Sequence, residues 1–157
     1  MKRVDASLLL AIICTLATSA FLPADAVKNA RQINRVVVRG YIVCIDSTGR
    51  LSTSEKDCAK LPHLFGMQAS DGQLFRFPAT DSATAMFEDS RVRAQQLQIN
   101  AHLYPDNQLE IIKVHAVKAG KLYDIYYYCD VCSITAYAPG PCPCCRREME
   151  LREEPVH

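Results

Sequence analysis

Between Arg35 and Ala119 short apolar runs are separated by polar turns, at the spacing of strands rather than helices. "RVVVRGYIVCI" (35–45) is rich in β-branched residues and carries Gly40 where a strand can bend. The polar loop "DSTGRLSTSEKDCAKLPH" follows. "LFGMQA" and "QLFRFPA" are two short apolar runs joined by "SDG", whose Asp-Gly signals a hairpin. "DSATAMFEDS" suits one short helix capped by Asp81 or Ser82, with Ala85 and Met86 facing inward. "RVRAQQLQINAHLY" alternates in part and predicts a long strand with an irregularity near Gln95. "PDN" then turns the chain into "QLEIIKVHAVKA", the next strand.

Five strands with a helix between the third and fourth predict a five-stranded Greek-key barrel of the OB type over 35–119. The run from Val38 to Val114 resembles small exported bacterial OB-fold proteins: a "V-x-G-x-V"-like strand, a loop with a cysteine near each end, then "DG-x-L-Y/F". The resemblance implies a fold and an exported address, but no reaction.

The N-terminus carries its own pattern. Lys2 and Arg3 precede the apolar "SLLLAIICTLATSA" (Ser7 to Ala20), and "ADA" at 24–26 offers a small-x-small cleavage site. Residues 1–26 are therefore expected to be a signal peptide and 27–34 a polar lead-in. The apolar run is shorter than the roughly 18–20 residues of a membrane span. The expected address is the periplasm or the extracellular space. Cleavage would remove Cys14 and leave an odd number of cysteines, so one thiol must be free, metal-bound or paired with another molecule.

Composition changes this picture little. The 157 residues are 49% hydrophobic and 22% charged with a net charge of +1, a globular balance without the basic footprint of a nucleic-acid binder.

The candidate chemistry lies in "YYYCDVCSITAYAPGPCPCC" (126–145), which holds five of the eight cysteines. Cys129 and Cys132 form one C-x-x-C and Cys142 and Cys145 a second, separated by nine residues. Two such turns can place four sulfurs at the corners of a tetrahedron, as Zn²⁺ requires. "YDIYYY" is the expected strand entering the first turn and "REMELRE" the strand leaving the second, making a small ribbon over 120–153 with a tail at 154–157. Disulfides and a redox C-x-x-C are the alternative readings, and iron in the same four thiolates a third. The stretch resembles rubredoxin-type and zinc-ribbon modules through Tyr127, Cys129, Cys132, Pro139, Cys142, Pro143 and Cys145. It is also similar to a small heavy-metal-binding module through Pro139, Gly140, Cys142, Pro143 and Cys145. Glycine usually follows the second cysteine of each turn in these modules; Ser133 and Arg146 stand there instead. The methionine and histidine of the heavy-metal module are missing, so a structural ion is favoured over metal transfer. Cys144 is an extra thiol inside the second turn.

Cys44 and Cys58 flank the polar loop, and a disulfide between them would contribute about 3 kcal/mol by loop closure; a site shared with His63 is the alternative. The tyrosines at 123 and 126–128 are expected to pack rather than to line a ligand groove or stack on bases. His102 and His115 lie on adjacent strands, expected as polar positions on the outer face. No Ser/His/Asp order, H-E-x-x-H or phosphate-binding glycine loop is present. The expectation is a non-enzymatic binding or structural protein, with an unidentified protein or small-molecule partner.

Overall fold

The structure is a computed structural model, which describes residues 33–46, 48–52 and 64–157. The expected signal peptide, Cys58 and His63 lie outside the described residues. The described residues are mostly β, with eight strands in one largely antiparallel sheet and two short helices. No helix among the described residues is long and apolar enough to cross a membrane.

The first strand, β1 (Asn34–Cys44), serves two partners. Its first half pairs with β4 (Leu97–Tyr104) and its second half with β2 (Phe65–Ala69), and Gly40 belongs to both registers. Here a glycine is required: an added Cβ would sit 2.0 Å from the carbonyl oxygen of Gln68. β2 turns through Ser70 to Gln73 into β3 (Leu74–Arg76), the hairpin expected from Asp-Gly. β4 pairs with β5 (Gln108–Lys118) along its whole length, with one irregularity at Asn100/Ala101. β3 meets β5 in parallel through Arg76 and Gln108, so the pairings β1–β2–β3–β5–β4 return to β1.

The segment between β3 and β4 holds two short helices rather than one. A 3-10 helix, Ser82–Glu88, is capped by the Asp81 carboxylate, which accepts from the Ala83 N–H. A single α-turn, α1 (Ser90–Arg93), is capped in the same way by Asp89. The strand expected from Arg91 starts only at Leu97, because Asp89 captures the Arg91 N–H and starts a helical turn.

After β5, a turn at Ala119 and Gly120 leads into β6 (Lys121–Cys129). β6 pairs with β5 over Lys121–Asp124, then with β7 (Ile134–Ala136) over Tyr127–Cys129. Its other edge is covered by β8 (Glu150–Pro155), which extends two residues into the expected tail. The buried side chains Ile125, Tyr127 and Cys129 alternate along one face of β6. One apolar cluster runs from Val38, Phe65 and Leu109 through Phe87 and Tyr127 to Cys129, Cys142 and Met149. The cysteine-rich segment thus closes one end of a core that the preceding strands share.

Candidate metal centre

Each C-x-x-C turn sits at the tip of a hairpin. The first joins β6 to β7, with Cys129 opposite Ile134. The second is held by the bridge between Pro141 and Glu148 and by the Cys142 N–H donating to the Arg147 carbonyl at 2.7 Å. The two turns repeat one geometry. In the first, backbone N–H groups of Cys132 and Val131 donate to the Cys129 sulfur; in the second, those of Cys145 and Cys144 donate to the Cys142 sulfur. The first cysteine of each pair is buried and the second half-buried. The residue after each pair, Ser133 or Arg146, has a left-handed backbone, with φ of 53° and 62°. A non-glycine residue in that region is strained by roughly 1–2 kcal/mol.

The Sγ atoms of Cys129, Cys132, Cys142 and Cys145 all lie within 4.8 Å of one another, and those of Cys129 and Cys145 are 3.5 Å apart. A tetrahedron with metal–sulfur bonds of about 2.3 Å separates its sulfurs by roughly 3.8 Å. The four sulfurs fit that figure, and the group can hold a metal ion. None of the five clustered cysteines is joined in a disulfide. Cys144 is exposed and stands outside the group of four.

The electrostatics suit a bound cation. The Cys145 N–H, seconded by that of Cys144, lowers the Cys142 thiol from its ordinary 9.0 to about 7. At Cys129 the Cys132 N–H pulls in the same direction, but burial and the neighbouring thiols outweigh it, and its pKa lies above the ordinary value. Hydrogen bonding to Cys144 and then to Cys145 raises Cys132 strongly. A group of thiols this close releases its protons reluctantly one after another, and a cation would compensate the resulting charge. Arg152 on β8 ties down the first turn by pairing with Asp130, and its guanidinium lies 4.3 Å from the centre of the Tyr128 ring.

Behind the site, the fully buried Tyr127 donates its hydroxyl to Asp89 at 3.0 Å, linking β6 to the cap of α1. Asp89 also pairs with Arg91 at 2.7 Å. The Arg91 guanidinium, with the Arg91 and Tyr127 donors, holds the Asp89 carboxyl below its ordinary range, and burial pushes the Tyr127 phenol well above its own. Sequence reasoning found the tyrosine but not its partner, 38 positions away.

His102 and His115 do not face each other. His102 faces Glu110, its Nδ1 3.1 Å from a carboxylate oxygen that also accepts from Tyr104. His115 faces Gln98 and is buried, against the expectation of an outer-face position. Its Nε2 lies 3.3 Å from Asp124, which also takes Lys113 at 2.8 Å. Cys44 ends β1, and the proposed pairing partner Cys58 is outside the described residues.

A second feature gives two of the tyrosines a groove to line, where packing alone was expected. β5 and β7 occupy successive stretches of the same β6 edge, and where they diverge a cleft of about 830 Å³ opens. Ile112, Tyr126, Tyr128 and Tyr137 line its walls, with Lys113, Asp124 and Glu154 among its polar groups. Compared with known families, curated proteins and solved structures, the chain matches none.

Proposed function

We propose that this is an exported, non-enzymatic binding protein whose Cys129, Cys132, Cys142 and Cys145 hold one structural zinc ion. The convergence of four sulfurs within 4.8 Å carries the reading. All four positions are thiols, leaving no site for the water or substrate that a catalytic zinc keeps. The same ion would cross-link two hairpin tips at one end of the core.

The five strands β1–β5 form, in this reading, an OB-type barrel. The closed circuit of pairings, with a parallel β3–β5 contact and helices between β3 and β4, supports it. Residues 1–26 act as a signal peptide, so the mature chain works in the periplasm or outside the cell. Recognition of a protein or small molecule falls to the surface, for which the tyrosine-lined cleft offers a concave, largely apolar site.

A second reading is a cell-envelope protein that handles a heavy metal or iron through the same thiols. The exposed Cys144 beside the site is the observation that favours it. Elemental analysis of the exported protein separates the two. A structural zinc site gives one equivalent of zinc in a colourless protein, lost in Cys142→Ser. Ferric iron in four thiolates colours the protein red, and unchanged zinc in Cys142→Ser would overturn the ligand set.

A further inference from the structure

The cleft between β5 and β7 runs from the surface down to the core. Its floor is Met86, Val114 and Ile125, all buried members of the shared apolar cluster. Tyr137, 67% exposed, stands at the mouth with Tyr126 and Tyr128, whose rings meet edge to face at 6.4 Å. At about 830 Å³ the space falls within the roughly 300–1,000 Å³ of ordinary small-molecule sites.

The charges lining the cleft are not balanced. Asp124 and Glu154 sit directly opposite each other on β6 and β8, and two carboxylates so placed repel unless each is matched. Asp124 is matched, with the Lys113 ammonium 2.8 Å away and His115 at 3.3 Å. Glu154 accepts the Tyr126 hydroxyl at 2.5 Å, an uncharged donor, and among the described residues no basic group pairs with it. The one arginine of β8, Arg152, is held by Asp130 and lies over the Tyr128 ring. Lys113 is the only basic residue among the described residues lining the cleft, and Asp124 already engages it.

On the reading of this cleft as the recognition surface, we infer that it takes an amphipathic amine, a small molecule whose protonated amino head sits at Glu154 and whose apolar body covers Met86, Val114 and Ile125. An anion would meet the unmatched carboxylate and find no free cation. A neutral apolar molecule would cover the floor but leave Glu154 without a counter-charge. The backbone disfavours a peptide strand in the same place. β6 leaves only Ile125 and Tyr126 between its pairings with β5 and β7, and the Ile111 N–H of β5 is taken by Asp81. Burial of the apolar body supplies affinity, and the charged head supplies selection.

The test titrates the full-length protein with three probes that share one apolar body: 4-phenylbutylamine, 4-phenylbutanol and 4-phenylbutyrate. Binding is read by calorimetry at neutral pH. The amine is expected to bind about tenfold more tightly than the alcohol, with the acid weakest. Glu154→Gln, a substitution at an exposed position, should bring the amine down to the affinity of the alcohol and leave the alcohol unchanged. Tyr137→Ala should weaken amine and alcohol alike by about fivefold, which places both in the cleft. Equal affinities for amine and alcohol, or an amine preference that survives Glu154→Gln, would overturn the inference and leave the cleft as an apolar site. Binding that Tyr137→Ala does not change, or no binding of any probe, would overturn the cleft as the recognition surface and the inference with it. Nα-acetyl-lysine methylamide carries the ammonium on a peptide unit without the phenyl body. Tighter binding of that compound than of 4-phenylbutylamine would assign the cleft to lysine side chains of a protein and overturn the small-molecule class.

Discussion

Two residues carry strain that the chemistry of the site explains. Ser133 and Arg146 hold left-handed backbones so that the preceding N–H groups can point at Cys129 and Cys142. Glycine adopts that conformation without a Cβ penalty, though it loses more freedom on folding. Ser133→Gly and Arg146→Gly should each stabilise the protein by about 0.5–1 kcal/mol in urea titrations, with metal content unchanged. Destabilisation would mean that the side chains make contacts worth more than the strain. A second residue makes stability depend on pH. Burial lowers the pKa of His115 from 6.5, with Lys113 adding to the effect and Asp124 opposing it. The unfolded chain therefore takes up this proton at a higher pH than the folded one. The associated stability is present above about pH 6.5 and is lost as the pH falls toward the folded value. The urea midpoint should drop more between pH 7.5 and 5.5 in the native protein than in His115→Gln, since acid-driven metal loss is common to both. Equal drops would assign the whole effect to other groups. The four clustered cysteines were legible because C-x-x-C spacing directly encodes a turn with two sulfurs on one side. The setting of His115 was not, because strand alternation does not say which face a neighbouring strand will cover.

Among the elements, β1 and β6 organise the sheet: β1 pairs with two neighbours in succession, and β6 with two in succession on one edge and a third on the other. Gly40 is where β1 passes from β4 to β2, with backbone too close to admit a methyl group. Gly40→Ala should cost about 2–3 kcal/mol, read as a lower urea midpoint, because the obstruction is main chain and cannot rotate away. A near-neutral result would mean that the strand crossing is looser than its register implies. Tyr127 does a comparable job for β6. Tyr127→Phe keeps the ring but removes a hydrogen bond to a charged, mostly buried carboxylate, and should cost about 1.5–3 kcal/mol. Absence of any loss would show that Arg91 alone satisfies Asp89. Most strands were legible from β-branched runs and the Asp-Gly turn. β7 was not, since "ITA" is too short to show a period, and its pairing depends on the first cysteine turn. The start of β4 was misjudged because a side-chain cap, a local hydrogen bond, prevailed over alternation near Gln95.

At the scale of the whole molecule, the cysteine turns do not stand apart from the earlier strands. β6 pairs with β5, and Cys129, Cys142 and Met149 complete the same apolar cluster as Val38 and Leu109. Sequence alone suggested two successive modules, because the change in composition near Lys121 is abrupt while the pairing of β5 with β6 leaves no local signature. In the proposed function the four thiolates are a cross-link at one end of a shared core. X-ray absorption at the zinc edge tests that claim most directly, on the full-length protein purified without added metal. The proposed site requires four sulfur scatterers at about 2.3 Å and no nitrogen or oxygen in the first shell. A first shell containing nitrogen or oxygen, or a chain with no metal and no free thiols among the five, would contradict it.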